Sequence, residues 1–157
     1  MTQLSDHFTL KEGTDSAKAK ELGIDNQPST LQLENMKHAA KGMEEVRALL
    51  GKPIKINSWL RLPAVNVAVG GSEKSAHMDG WAVDFRCDSF GTPLEIAKAI
   101  VAAGIKFDQI IHEYGSWVHI SFEPALRCQP LTIMRPTRKP AYLPGILTAE
   151  EYANYKV

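Results

Sequence analysis

The stretch Phe107-Asp-Gln-Ile-Ile-His-Glu-Tyr-Gly-Ser-Trp-Val-His-Ile-Ser-Phe122 reads as a β-hairpin: two runs rich in β-branched and aromatic residues flank a turn through Gly115 and Ser116. Side chains alternate between the faces of a strand, so His119 shares a face with Trp117 and Ser121, and Val118, Ile120 and Phe122 take the other. Loop length then decides what faces His119 from the first strand. A two-residue Gly115-Ser116 turn sets His112 opposite His119, whereas one extra loop residue or a bulge flips the parity and brings Glu113 to that face.

Outward from the hairpin, Trp81 to Arg86 alternates in the same way, with Trp81, Val83 and Phe85 on one side and Ala82, Asp84 and Arg86 on the other. Ile54 to Ser58 is a further strand. Before them in the chain, Ser29 to Gly51 carries an apolar stripe at helical spacing (Leu33, Met36, Ala40, Met43, Val46, Leu50), with Ser29 and Gln32 as a capping pair and Gly51 then Pro53 as the stop. A second helix runs from Thr92 to about Ala103, with a Thr92–Glu95 capping box, Pro93 at the first helical position and Gly104 at the end. Shorter helices are expected over Ser16 to Leu22 and after Thr148, which has Glu151 as its box partner. Interspersed strands and helices predict an α+β single domain, a small antiparallel sheet packed against helices. Beyond Pro124 the prolines 130, 136, 140 and 144 predict an irregular C-terminal tail wrapping the same domain.

A chain of 157 residues suits one domain, and 44% hydrophobic with 23% charged residues excludes a disordered or fibrous protein. Lys plus Arg equal Asp plus Glu at 18 each, which argues against a broad basic face for nucleic acid. The longest apolar stretch, Ile96 to Ile105, is interrupted by Lys98 and Gly104 and falls short of the ~20 residues that cross a bilayer, so no transmembrane segment is expected. Met1 to Phe8 lacks a basic region followed by an apolar run, so no signal peptide is expected. Two cysteines, Cys87 and Cys128, do not make a disulfide scaffold; they read as core thiols, with a single bridge between them as the alternative.

Ser75-Ala-His-Met-Asp-Gly-Trp-Ala-Val-Asp84 sets a histidine on a loop seven residues before a strand aspartate, with Gly80 allowing the chain to return sharply. Together with His119, the pair His77 and Asp84 offers two imidazoles and a carboxylate, a ligand set that leaves the fourth position of a tetrahedral zinc open. Spacing alone leaves the other reading open: Asp84 exposed or paired with Arg86, His77 a polar loop residue, His119 a satisfied core histidine. Val69-Gly-Gly-Ser72 lacks the lysine-serine ending of a phosphate loop, and Arg135, Arg138 and Lys139 read as a solvated basic face, with contact to an anionic polymer or lipid as the alternative. His7 and His38 read as solvent-facing.

Leu4 to Leu10, Gly23 to Asn26, Asn57-Ser-Trp-Leu-Arg-Leu-Pro-Ala-Val-Asn66, Val69 to Ser72, Ser75-Ala-His77 with Gly80, Ala82 and Asp84, and Asp108 through Ser121 follow one another along the chain. In that order these motifs resemble the M15 zinc peptidases, the D-alanyl-D-alanine carboxypeptidase-like family, and among them the small phage endolysin branch of peptidoglycan endopeptidases. The resemblance implies that residues 1–125 form the peptidase domain and 126–157 the tail with its short helix packed on the same domain. It implies that His77, Asp84 and His119 are the metal ligands, Zn2+ the cofactor, Glu113 the general base and Arg61 the group holding a substrate carboxylate or carbonyl. Ser75 and Ser121 fall where ligand-orienting hydrogen bonds belong, and Ser75, His112 and Arg61 are the expected substrate contacts. Trp59 and Leu60 stand where relatives have Gly-Tyr, Leu62 where they have serine, and Glu113 stands six residues before His119 where many relatives place the glutamate three before it.

The implied activity is hydrolysis of peptidoglycan stem peptides, at an L,D or D,D bond, by a monomer that accumulates in the host cytoplasm before release and then acts on the wall. Two other readings stand beside it: a D-alanyl-D-alanine carboxypeptidase, and a non-catalytic zinc-stabilised wall-binding or virion protein.

Overall fold

The capping side chains read from the sequence set the helix starts. The computed structural model, which describes residues 2–156, runs α1 (Leu10–Thr14), α2 (Ala17–Leu22), α3 (Thr30–Leu50), β1 (Lys55–Ser58) and α4 (Pro63–Ala68). A 3-10 turn (Ala76–Asp79) precedes β2 (Ala82–Arg86), α5 (Pro93–Ala103), β3 (Gln109–Glu113), β4 (Trp117–Ser121), β5 (Gln129–Ile133), β6 (Leu143–Pro144) and α6 (Ala149–Ala153). Ser29 with Gln32, Thr92 with Glu95 and Thr148 with Glu151 form reciprocal capping boxes at the starts of α3, α5 and α6. The α+β expectation holds.

The sheet order is β1-β2-β4-β3-β5-β6, antiparallel throughout except for the parallel pair β3/β5. Val83, Phe85, Val118, Ile120 and Ile110 leave one face of the sheet to meet Met36, Met43 and Val46 of α3 and Ile96 and Ile100 of α5. The helices thus cover one face, which leaves the other for polar work.

Two strands come from the segment expected to be irregular. β5 lies parallel to β3 with Gln129 beside Gln109 and Ile133 beside Glu113. Pro130 is tolerated because its carbonyl, and so the side lacking an N–H, faces Gly145 just past the two-residue β6, not the β3 ladder. A small second core of Met134, Leu143 and Tyr152 anchors the end of the chain, and the Tyr152 hydroxyl donates to the Ala141 carbonyl at 2.6 Å. Cys87 is buried and free as expected; Cys128 is free but exposed, because it belongs to the turn leading into β5. Among the described residues no helix is long and apolar enough to cross a membrane.

One contact in the core is close enough to test. A Cβ on Gly42 of α3 would overlap the Phe122 ring. Alanine gains about 1 kcal/mol of helix propensity over glycine, whereas overpacking costs about 1–3 kcal/mol. Gly42→Ala is therefore expected to lower stability by up to about 2 kcal/mol, seen as a lower urea midpoint; an unchanged midpoint would mean that the ring moves aside freely.

Candidate metal centre

Register places the first two site residues. Asp84 of β2 lies directly opposite His119 of β4, and His119 opposite Ile111 of β3, which lies beside Leu131 of β5. Cross-strand neighbours share a face, so this row crosses the sheet on the side away from the helices. Asp84 Oδ1 sits 2.9 Å from His119 Nδ1.

His77 reaches the same point from the 3-10 turn, which α3 holds in place. Gln32 Nε2 and Asn35 Nδ2 donate to the carbonyls of Met78 and Asp79, each at 2.9 Å, and Trp59 Nε1 donates to that of Gly80 at 2.9 Å. Gly80 has φ 86°, and a Cβ there would come 2.7 Å from Met36 Cγ and 2.9 Å from the Gln32 carbonyl, so only glycine lets the turn lie this close to the helix. The Ser75 hydroxyl accepts the His77 amide at 3.2 Å. Ser75 therefore steadies the turn, whereas the buried Ser121 accepts the Gln109 amide at 3.2 Å and orients no ligand.

His77 Nδ1 lies 2.7 Å from the Trp59 carbonyl, an acceptor, which fixes the proton on Nδ1 and leaves a lone pair on Nε2. That Nε2 is buried and has no hydrogen-bond partner among the described residues, although Asp84 Oδ1 is 3.1 Å away, because two lone pairs face each other with no proton between them. An orphaned buried imidazole nitrogen aimed at a carboxylate and a second imidazole is what a metal ligand looks like before it is counted with its metal. One ligand atom from each of His77, Asp84 and His119 lies within 4.8 Å of the others. Bonds of 2.0–2.2 Å in a tetrahedral site would set ligand atoms roughly 3.4 Å apart, so the cluster fits a divalent ion with N and O ligands.

Electrostatics agree with a cation site. Burial pushes the Asp84 carboxyl up, but the neighbouring His77 imidazole and the His119 hydrogen bond outweigh it and hold Asp84 far below the usual carboxylate range. Burial pushes the His77 imidazole down, keeping it neutral; burial acts on His119 too, but Asp84 overrides it and raises that imidazole.

The hairpin loop is Tyr114-Gly115-Ser116, one residue longer than the shorter alternative, with Tyr114 at φ 57° and Gly115 at φ 66°. Glu113 consequently pairs with Trp117 and joins the His119 face, its Oε1 4.0 Å from His119 Nδ1. Burial, reinforced by Asp84, pushes its carboxyl up to about 7, against the pull of His119. The same parity corrects the expectation for His112: it is buried on the opposite face, its Nδ1 2.9 Å from the Leu147 carbonyl, and touches no part of the site.

Arg61 arrives on the segment after β1. Buried Asn26 donates to the Leu60 carbonyl at 2.9 Å and accepts the Leu62 amide at 3.1 Å, clamping the backbone on both sides of the arginine. Arg61 Nη2 lies 3.7 Å from Asp84 Oδ2, and its buried Nε has no partner among the described residues.

Arg61, His77, Asp84, Glu113 and His119 line one cleft of about 700 Å³, a size suited to a short peptide segment. Its walls include Tyr114, Trp117, Arg127, Arg135 and Tyr142, none of which the motifs singled out for the site. Alternation along β3 (Gln109, Ile111, Glu113) was the available signal for the floor; the tail residues had none. His38 is exposed as expected, stacked on Trp81 at 6.1 Å, and His7 pairs with Glu44 at 2.6 Å.

A family model described as Peptidase M15 matches residues 6–121, a span containing all five of the clustered site residues. No curated protein matches the chain.

Proposed function

Since the chain belongs to the peptidase M15 family, a family of metallopeptidases, we propose that it is a zinc-dependent endopeptidase that cuts the peptide stems of bacterial peptidoglycan, in the manner of a phage endolysin. The observation that carries the reading is the convergence of His77 Nε2, Asp84 and His119 Nδ1 with Glu113 beside them on one sheet face. A zinc ion, which these three residues would hold, would supply Lewis acidity and make water beside it easier to deprotonate near neutral pH.

The chain's own groups do the rest. Glu113 takes the proton of the attacking water and returns it to the leaving amine, and beside a divalent cation its carboxyl falls back toward the ionised form that a base needs. Arg61, with Nε unpaired and its backbone clamped, donates to a substrate carbonyl or carboxylate. The Trp59 carbonyl keeps His77 in the ligating tautomer. Zinc is favoured over harder ions by the two imidazoles. The same proposal places the monomeric protein in the host cytoplasm until release, and its action at the wall.

Incubating the zinc-loaded protein with purified sacculi tests this. Release of cleaved stems or crosslinks, identified by mass, is the expected result. Free alanine alone would make the protein a carboxypeptidase, and wall binding without any release would make it a non-catalytic binder.

A further inference from the structure

The basic cluster of the tail comes apart in the fold. Arg138 is a strut, its Nη1 donating to the carbonyls of Tyr152 at 2.9 Å and Tyr155 at 2.5 Å. Lys139 is exposed and outside the cleft lining, whereas Arg135 lines the cleft. β5 puts it there. With Gln129 beside Gln109, Leu131 beside Ile111 and Ile133 beside Glu113, alternate residues of β5 share the metal-facing side of the sheet, and residue 135 continues that parity past the strand's end.

Its guanidinium carbon stands 4.2 Å from the centroid of the Tyr114 ring, which meets Trp117 edge-on at 5.6 Å. Tyr114 adopts the left-handed conformation to present that ring, a conformation that bulky side chains seldom take. The other arginines of the cleft have roles already: Arg127 grips Asp108 through Nε at 2.9 Å and Nη2 at 2.8 Å, and Arg61, 3.7 Å from Asp84, serves the substrate group beside the metal ligands. Arg135 has no carboxylate partner among the described residues, yet it is held in place by an aromatic face. A guanidinium oriented without a counter-ion, on the wall of a peptide-sized cleft, is preorganised for an anion.

We propose that Arg135 is a specificity-determining residue that recognises a carboxylate of the substrate on the Glu113 side of the metal, so that the enzyme prefers acidic peptides over their amidated counterparts. The proposal rests on the peptidase reading of the cleft, and it concerns a residue outside the stretch that matches the family. From the His119 row to residue 135 is two pairs of strand residues, about 14 Å at 3.3–3.4 Å each. The side chain leans back over Tyr114, which sets the recognised carboxylate about two to four residues of extended peptide from the scissile bond.

The test compares the zinc-loaded wild type with Arg135→Gln on a stem peptide carrying free carboxylates and on the same peptide fully amidated. For the free acid, Arg135→Gln is expected to raise KM by about 10–100-fold, the range for hydrogen bonds to charged groups, with kcat little changed. The amidated peptide is expected to show the raised KM already in the wild type and no further change in the variant, while Arg135→Lys recovers part of the loss. An unchanged KM for the acid, or an equal rise for both peptides, overturns the proposal. If the wild type cleaves neither peptide, the hydrolase reading fails separately. Calorimetric binding of the two peptides then decides: tighter binding of the acid by wild type than by Arg135→Gln supports the anion site, and equal or undetectable binding overturns it.

Discussion

Glu113→Gln is expected to lower kcat by about 10²- to 10⁴-fold, the usual contribution of a positioned general base, while zinc content stays at the wild-type level. Glutamine keeps the shape of the side chain, so any loss reports the missing proton acceptor and not a gap in the cleft. Glu113 Oε1 stands 4.0 Å from His119 Nδ1, beside the His77, Asp84 and His119 cluster without belonging to it, which is where a base must lie to take a proton from water in that part of the cleft. Stability separates this role from a structural one. A carboxyl whose folded pKa is raised above its unfolded value disfavours the fold once pH exceeds the unfolded value, and increasingly so up to the folded value of about 7. In metal-free protein the amide is therefore expected to be at least as stable as the wild type at neutral pH, and less so only in acid. A variant that keeps activity within about tenfold of wild type would falsify the assignment of the base and send the search to another acceptor in the cleft.

The sequence carried most of what positions this site, and its silences have physical causes. α3 and α5 were legible because each combines an apolar stripe with a capping side chain at one end and a glycine at the other, signals that do not depend on the rest of the fold. The faces of Asp84 and His119, each turned away from the apolar packing residues of its strand, followed from alternation; that β2 pairs with β4 and sets the two opposite each other did not. The choice between His112 and Glu113 did not follow, because it turned on whether Tyr114 belonged to the strand or to the loop. A tyrosine at φ 57° runs against local preference and is sustained by Trp117 and Arg135, contacts that exist only after folding. β5 was hidden for a related reason. Pro130 argues against a strand anywhere except where its missing N–H faces no ladder partner, and that place is defined by β3, twenty residues earlier, and by the brief β6. The Leu131-Thr-Ile-Met134 run was the local signal for it. The cleft wall beyond Glu113 was illegible for as long as β5 was.

Asp84→Asn is expected to abolish hydrolysis by removing the metal, and it separates the ligand set from every other role in the cleft. The carboxylate is the only anion among the three ligands and is also the group that organises the two imidazoles, contacting His119 Nδ1 at 2.9 Å and His77 Nε2 at 3.1 Å. An amide can still coordinate through oxygen, but it gives up the charge that offsets a divalent cation in a buried site. For the wild type, zinc at about 1,000 times its dissociation constant adds about 4 kcal/mol of stability, which for a domain of this size raises Tm by roughly 10 °C. Excess chelator is expected to erase that gain. In Asp84→Asn the same zinc concentration is expected to give little or none of it, with metal content after dialysis falling in step. The pH dependence has a definite sign. Asp84 raises the His119 pKa in the metal-free protein, so the protonated pair stabilises that form below the unfolded histidine value, an advantage lost as pH rises through the higher folded value. Ligation requires neutral His119, so zinc binding releases a proton near neutral pH and weakens as pH falls. Calorimetric titrations in buffers of different ionisation enthalpy measure that proton directly. A wild type that binds zinc with no proton release, or an asparagine variant that keeps the full zinc-dependent rise in Tm, would place the metal somewhere other than between His77, Asp84 and His119.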